Sequence, residues 1–385
     1  MKILTIALAT LLLAACASAP PPQLPSPNGL LHDELFGPPS TRIDARDVFA
    51  LSDDMRRFLR VEIADELIFK GSRQGLFDAL YSRGQLQLEY ETRITRNAAE
   101  AFAARSGNCL SLVIMTAAFA KELSLPVKFQ SAVASETWSR DAGIQYYIGH
   151  VNLTLSARSM DVMFGRAGTD NLTIDFLPPQ ETRGMSTRVV DEKTIVAMYM
   201  NNRAAESISV GKLDDAYGWA RAALLHNPSF LNSYNTLGVI YLRHGNMPEA
   251  TAALDHALVL DPQNTKVMAN LASVLTATGR TAEANALMAK LDRLEPNPPF
   301  AYLNRGMTAL HSGDYQSARE QFAKEVARAP YNDELHYWLA VAYAGLGDTE
   351  QARRELARAL DYSTTRKDHD LYAAKLDRLR ASQVH

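Results

Sequence analysis

Residues 106–115 read SGNCLSLVIM and place one of the chain's two cysteines, Cys109, at the start of an apolar run. The preceding Ser-Gly-Asn supplies turn and capping chemistry, and residues 110–123 favour a helix that ends before Pro126. Apolar residues fall on nearly every side of this helix, which predicts that it is buried and central. Cys109 then lies at the helix N-terminus, where the positive end of the dipole favours a thiolate.

The N-terminus of the chain predicts export and lipid attachment. Residues 1–15 combine Lys2 with a short apolar segment and small residues, which is typical of a signal peptide. The sequence LAAC at 13–16 closely resembles the lipobox of bacterial lipoproteins, in which cleavage leaves Cys16 as an acylated N-terminus. Ala17 after this cysteine implies, for such lipoproteins, an outer-membrane destination facing the periplasm. An ordinary secretory peptide with an incidental Cys16 is the alternative.

Composition fits a soluble remainder with two or three domains. The 385 residues are 47% hydrophobic and 22% charged, the formal net charge is −3, and no later apolar run has membrane length. Because there is no basic excess, we expect no nucleic-acid partner. The stretch APPPQLPSPNG at 19–29 favours an extended spacer. We therefore interpret residues 16–40 as a lipidated, proline-rich tether.

Cys109 is a free thiol if Cys16 is acylated, and a free thiol is unusual in an oxidising compartment. One interpretation is a small buried core residue, which is the usual role of an unpaired cysteine. The other is a reactive nucleophile.

A nucleophilic cysteine needs a base, and His150 is the one histidine between Cys109 and residue 197. It begins the alternating segment HVNLTL, and a second alternating segment, LTIDF at 172–176, carries Asp175 on its more polar face. If the two segments pair as strands, Asp175 can orient the imidazole and stabilise its cation.

The order of these segments resembles the transglutaminase-like superfamily. The resemblance is carried by TRNAAEAFAARSGNCLSLVIMTAAFAKELSLPVKFQ (95–130), GHVNL (149–153) and TIDFLPP (173–179). It implies an α+β, papain-like domain over residues 41–190, with Cys109, His150 and Asp175 as the catalytic triad. Leu110 stands where animal transglutaminases carry Trp, and nothing marks a calcium site, so we predict neither a metal nor a cofactor.

Such a triad performs acyl transfer on an amide carbonyl. The backbone N–H of Cys109 is expected to bind the oxyanion. Asn97 and Asn108 are candidates for a second donor, although Asn108 is more typical of a turn.

The second half of the chain repeats glycine, alanine and proline every 34 residues. The recurring positions are Gly211, Gly245, Gly279, Gly313 and Gly347, then Ala216, Ala250, Ala284, Ala318 and Ala352, then Pro228, Pro262, Pro296 and Pro330. This period is that of tetratricopeptide repeats, in which two helices pack closely and proline ends the second. We predict an all-α solenoid of five units over 197–366, with a capping helix at 367–385. Arg203 and Ser207 make the first unit irregular.

Repeats of this kind resemble partner-binding surfaces, lined by the first helix of each pair. The corresponding positions here are Met198, Asn201, Asn232, Asn235, Phe300, Leu303, Met307, Leu310, Glu334 and Tyr337. This lining contains few cations, so we expect an extended or helical protein segment rather than a C-terminal carboxylate. The alternative is that the repeats only brace the first domain.

These observations predict a lipid-anchored periplasmic thiol hydrolase or acyltransferase acting on peptide or protein amide bonds, with the repeats recruiting a protein. A non-catalytic adaptor for envelope assembly is the second hypothesis. A peptidoglycan-directed amidase is the third, and it is allowed by location alone.

Overall fold

The computed structural model describes residues 27–81, 89–91, 94–132, 137–141, 144–148, 150–163, 171–176, 186–363 and 366–381. The predicted signal peptide and Cys16 lie outside these residues. No helix within the described ranges has the length and apolarity of a membrane span.

Helices and a small antiparallel sheet make up the region before residue 191. Its helices are α1 (Asp53–Arg57), α2 (Ala64–Phe69), α3 (Ser72–Tyr81), α4 (Ala98–Ala104), α5 (Cys109–Glu122) and α6 (Ser159–Met163). Its strands are β1 (Glu89–Tyr90), β2 (Ser106–Gly107), β3 (Val127–Ala132), β4 (Thr137–Asp141), β5 (Ile144–Ile148), β6 (Val151–Leu155), β7 (Leu172–Ile174) and β8 (Thr187–Val190). The transglutaminase-like assignment of this region stays a prediction.

Helix α5 is the centre of this region. Every residue from Cys109 to Ala120 is buried, as the apolar residues around the helix predicted. Helix α4 and strand β6 pack against it. Burial on all sides leaves the position of the helix little freedom, because close-packed interiors do not tolerate shifts.

The sheet has the order β7-β6-β3-β8, and every neighbouring pair is antiparallel. Leu153 of β6 lies opposite Ile174 of β7, and the hydroxyls of Thr154 and Thr173 are 2.9 Å apart. All five residues of β6 are buried, because both faces of this strand are covered. Strand β1 pairs with β2 in parallel, and β4 pairs with β5 in the antiparallel direction.

Helix pairs fill residues 192–362. They are α7 (Glu192–Ser209), α8 (Leu213–His226), α9 (Leu231–His244), α10 (Met247–Leu260), α11 (Thr265–Ala277), α12 (Thr281–Leu294), α13 (Ala301–His311), α14 (Tyr315–Arg328), α15 (Asp333–Gly345) and α16 (Thr349–Tyr362). The last helix, α17 (Arg366–Ala381), buries Tyr372 and Leu376. Helix α7 begins five residues before position 197, at which the repeats were predicted to start.

The periodic residues have the roles that the 34-residue spacing suggests. The five periodic glycines all have φ between 73° and 93°, the left-handed conformation that ends a helix and that glycine adopts without strain. Within the second pair, a Cβ on Gly238 would lie 2.5 Å from Cγ of Leu254. Small residues at such positions therefore let the two helices of a pair approach closely.

Residues 27–40 correct the tether prediction. The Phe36 ring stacks on Tyr217 of α8 with centroids 4.2 Å apart. The backbone N–H groups of Gly37 and Ser40 donate to Asp214 and Asp215, at 2.8 and 2.5 Å. Residues 30–40, which the tether prediction included, are therefore packed against the repeats, whereas most of the extended spacer predicted at 19–29 lies outside the described residues. Short 3₁₀ helices form at Pro27–Leu30 and Asp33–Leu35, and aromatic stacking and carboxylate acceptors on the repeats hold the segment in place.

We predict that Asp333→Asn stabilises the end of the repeats. Burial, reinforced by the Asp368 carboxylate, raises the pKa of Asp333 from 3.8 to about 6. A carboxyl with a raised pKa weakens the folded state when ionised, so the penalty is absent below pH 3.8 and complete above about 6. The substitution should raise the free energy of unfolding at pH 7.5 by about 1–2 kcal/mol and change it little at pH 4, as measured by urea unfolding followed by circular dichroism.

Asp370→Asn is the matched control, because that carboxylate on α17 is exposed. An equal gain for both variants, or a gain for Asp333→Asn that persists at pH 4, would contradict the prediction.

Candidate functional site

Asn108 caps α5 and so places Cys109 at the first helical position. Its backbone is extended, with φ −74° and ψ 173°, and its Oδ1 accepts from the N–H of Ser111 at 2.9 Å. The Ser111 hydroxyl donates to the same oxygen at 2.8 Å. Cys109, 2% exposed, therefore has a defined position at the positive end of the helix dipole.

Gly107 permits the close turn before the cap. A Cβ added there would lie 2.6 Å from Cβ of Ser111, a separation that real side chains do not adopt. The residue is buried and belongs to β2, so the chain cannot relax outward into water.

His150 and Asp175 meet where two neighbouring strands of the sheet begin and end. His150 directly precedes β6, and Asp175 directly follows β7. The imidazole Nε2 lies 2.8 Å from the Asp175 carboxylate, and the Asn152 amide donates to the same carboxylate at 2.9 Å. The predicted pairing of the two strands is confirmed. The catalytic role of the three residues stays a prediction.

The surroundings of His150 favour its protonated form. Burial lowers the pKa of this imidazole, but the hydrogen bond to Asp175, together with the nearby Cys109 side chain and the charge of Asp175, raises the pKa to about 9. Since Asp175 occupies Nε2, Nδ1 is the nitrogen left for Cys109. Among the described residues, Nδ1 is buried and has no hydrogen-bond partner.

This arrangement can form a thiolate-imidazolium pair. Asp175 holds the ring and offsets the charge of the protonated imidazole. In the described part of the chain, no group of three or more His, Cys, Asp or Glu side chains is placed to hold a metal ion.

The two asparagines considered as oxyanion donors have structural roles. Asn97 forms a capping box with Glu100 at the start of α4. The side-chain amide of Asn108 donates to Oγ1 of Thr95 at 2.9 Å. Asn108 is thus a turn and cap residue, and the N–H groups of Cys109 and Leu110, which have no acceptor within the helix, are the better candidates.

Sequence reasoning missed two contributors to the site. Asn152 shares the strand face of His150, so the alternation of HVNLTL could have indicated its bond to Asp175. Thr95, which is 1% exposed and bonds Asn108, carries no sequence signal because its partners are distant along the chain.

The predicted partner-binding residues divide into two groups. Phe300 and Leu303 are fully buried, so their assignment to a binding surface is wrong. Phe300 precedes α13 in the left-handed conformation, with φ 63°, and its ring enters the core that contains Leu303 and Phe322.

The other positions are at least partly accessible. Asn232 is exposed, Asn201 is half-buried, and the Oδ1 of half-buried Asn235 accepts from Asn270 of α11 at 2.8 Å. Met307 packs partly against the core around Phe322. The Tyr337 ring lies 5.0 Å from that of Trp338 and 5.4 Å from that of Tyr372.

Comparison with known families identifies the second half of the chain. Tetratricopeptide repeat models match residues 208–265 and, separately, residues 241–304 and 309–376. This region therefore contains tetratricopeptide repeats. No curated protein matches the chain.

Solved structures of repeat proteins also match. TTC0263, a thermophilic TPR protein of Thermus thermophilus, is 19% identical, and the match covers 47% of this chain and 98% of that one, with a TM-score of 0.30. YrrB, described as a TPR protein with an unusual peptide-binding site, is 26% identical over 47% of this chain and 92% of its own, with a TM-score of 0.25. PilF of Pseudomonas aeruginosa is 18% identical over 49% and 94% of the two chains, with a TM-score of 0.29.

We predict that Gly107→Ala disrupts the turn before Cys109. The added methyl group would overlap Ser111, so the cap on α5 must shift. The free energy of unfolding should fall by about 1–3 kcal/mol, as measured by urea unfolding. Gly29→Ala is the control, since nothing lies within 4 Å of a Cβ at that position. If the two variants were equally stable, the turn would accommodate a methyl group at residue 107, and the prediction would be wrong.

Proposed function

We propose that this chain is a thiol hydrolase or acyltransferase of the transglutaminase-like kind, acting on peptide or protein amide bonds. Cys109 is the nucleophile, His150 the base and acid, and Asp175 the residue that orients the imidazole. The single observation that supports this most directly is the buried His150, bonded to Asp175 at 2.8 Å and raised in pKa partly by the Cys109 side chain.

The chemistry follows from the charges of the pair. The sulfur of Cys109 attacks the amide carbonyl carbon, a C–S bond forms, and the N–H of Cys109 binds the oxyanion. The C–N bond then breaks as His150 gives its proton to the leaving amine. A water molecule, deprotonated by His150, hydrolyses the thioester and restores the free thiol; an incoming amine would instead give transamidation.

The repeats supply the protein-recruiting part of this proposal. Tetratricopeptide repeats present extended surfaces that bind protein segments. The exposed Asn232 on α9 offers an amide donor and acceptor, and one turn further Asn235 is bonded through its oxygen to Asn270, which suits contact with the backbone of an extended segment. We place the chain at the bacterial outer membrane, facing the periplasm and held by acylation of Cys16.

The repeats also favour a second candidate function. An adaptor would use the same repeat surface for assembly in the envelope and would leave Cys109 without turnover. The two functions differ in whether Cys109 ever carries an acyl group.

We predict that p-nitrophenyl acetate acylates Cys109. The wild-type chain should release a burst of about one p-nitrophenolate per molecule, because attack by the thiol is faster than hydrolysis of the thioester. Absorbance follows the burst, and mass spectrometry of tryptic peptides locates the acetyl group.

Cys109→Ser should abolish the burst, and His150→Gln should slow it by about 100-fold or more. Acylation that proceeds equally in His150→Gln, or that is absent from the wild-type chain, would support the adaptor.

We also predict that the positive charge beside Cys109 persists to about pH 9, the pKa of His150. A cation beside the thiol attracts anionic iodoacetate and has little effect on neutral iodoacetamide. The ratio of the two alkylation rates at Cys109 should therefore stay high below this pH and fall as the pH rises through about 9, where the imidazole becomes neutral.

The variant Asp175→Asn tests whether Asp175 raises the pKa of His150. Removing the carboxylate takes away one of the groups that raise the pKa, so the ratio should fall at a lower pH than in the wild-type chain. Coincident curves for the two proteins would mean that Asp175 does not hold the charge on His150.

A further inference from the structure

The first helix of the repeats, α7, binds the segment that precedes Cys109. The backbone N–H of Thr95 donates to Oε1 of Glu206 at 2.7 Å, and the Thr95 carbonyl accepts from Nη1 of Arg203 at 3.1 Å. The side-chain amide of Asn202 donates to Oγ1 of Thr95 at 3.3 Å. The backbone N–H, the carbonyl and the hydroxyl of Thr95 are thus all engaged by one face of α7.

Thr95 also bonds to Asn108, the residue that caps α5. Its Oγ1 accepts from the side-chain amide of Asn108 at 2.9 Å, and Asn108 in turn caps Ser111. The N–H of Arg96 donates to the Ser111 hydroxyl at 2.8 Å, so two adjacent residues of the same segment hold the helix start. Two direct hydrogen bonds, one on each side of Thr95, thus link Glu206 to Asn108, the residue before Cys109.

The residues that link α7 to the start of α5 are buried. Thr95, Asn108 and Ser111 are 1%, 6% and 0% exposed, so water cannot replace a lost partner. Burial also raises the pKa of Glu206, while its bond to Thr95 and the charge of Arg203 act in the opposite direction. The Arg203 guanidinium is fixed in turn over the Trp219 ring of α8, 5.7 Å from its centroid.

One of these residues, Arg203, also makes the first repeat unit irregular. Arg203 occupies a place where a repeat normally has a large apolar residue, and Ser207 bonds back to the Arg203 carbonyl at 2.8 Å. The polar Arg203 is therefore explained by its bond to Thr95, whereas Ser207 bonds within α7.

We propose that Asn202, Arg203 and Glu206 are positioning residues for Cys109, so that the first repeat sets the reactivity of the thiol. This rests on the proposed function of Cys109 as a nucleophile. Displacement of α7 by a protein bound to the repeats would loosen Thr95, then Asn108, and then the helix end that holds the sulfur. The repeats would thereby regulate the site as well as recruit its partner.

The test compares Glu206→Ala, Glu206→Gln and Glu192→Ala in the full chain. Alkylation of Cys109 by iodoacetamide is followed from pH 5 to 10, and peptide mass spectrometry separates Cys109 from Cys16. Glu206→Ala should slow alkylation at pH 7 by about 5- to 10-fold and move the midpoint of the profile upward, because an acceptor in the path is lost. Glu206→Gln, which keeps an acceptor, should restore most of the rate.

Glu192→Ala is the matched control. Glu192 pairs with Lys121 at 2.7 Å, so this variant also removes a polar contact between α7 and α5, but at the far end of both helices. It should leave the alkylation profile unchanged. Given an activated wild-type thiol, a wild-type profile in folded Glu206→Ala, or an equal change in Glu192→Ala, would overturn the proposal.

Thr95→Val decides the question if Glu206→Ala does not fold. This variant removes the acceptor for Asn108 and keeps the size of the side chain and both backbone bonds to α7. It should slow alkylation, and an unchanged rate would overturn the proposal.

Hydrogen exchange separates this proposal from the proposed function. In Glu206→Ala the amides of Ser111 and Leu112 should exchange faster, which reports the loosened helix start whether or not the thiol is activated. If the wild-type thiol reacts like an ordinary cysteine but exchange still increases, the proposed function fails and the positioning path stands. If exchange is unchanged and the wild-type thiol is activated, the proposed function stands and the positioning path fails.

Discussion

The hydrogen bonds that Asn108 makes at the start of α5 are the interaction on which the candidate site depends. The helix is buried from Cys109 to Ala120, so the surrounding side chains fix its axis. Packing alone does not fix the conformation at which the helix starts. Asn108 closes that turn by accepting from Ser111 and donating to Thr95. Because Cys109 is the next residue, the cap also determines where the sulfur lies relative to His150. Asn108 therefore both caps the helix and positions the sulfur of Cys109.

Much of the architecture could be predicted because it depends on local patterns. The 34-residue spacing of glycine reports a left-handed helix end, which needs no knowledge of distant contacts. The apolar residues around α5 likewise report burial on all sides. Phe300 was misassigned because its direction depends on a left-handed residue after the proline-rich turn at 296–299, and a pattern based on helical spacing cannot represent that exception.

The candidate site shows the same division between local and distant information. Alternation placed His150 and Asp175 on polar strand faces, and the structure brings them together because β6 and β7 are antiparallel neighbours. Glu206 could not be connected with Thr95 from the sequence, since 111 positions separate them and a glutamate on a helix is usually solvated. Its contact with Thr95 exists because α7 packs against α5. Residues that hold a site from another region are thus the hardest to recognise in one sequence.

The packing of residues 27–40 against the repeats changes where this protein can be cut for recombinant expression. A fragment begun at residue 41, the boundary that composition alone suggests, would leave the ring of Tyr217 without Phe36 and the hydroxyl of Tyr241 without the Leu30 carbonyl. It would also leave Asp215 without the Ser40 hydroxyl that donates to it at 2.7 Å. The uncovered aromatic surface would favour self-association of such a fragment. A shortened protein that keeps the chain from residue 27 retains its own cover for the first two repeats.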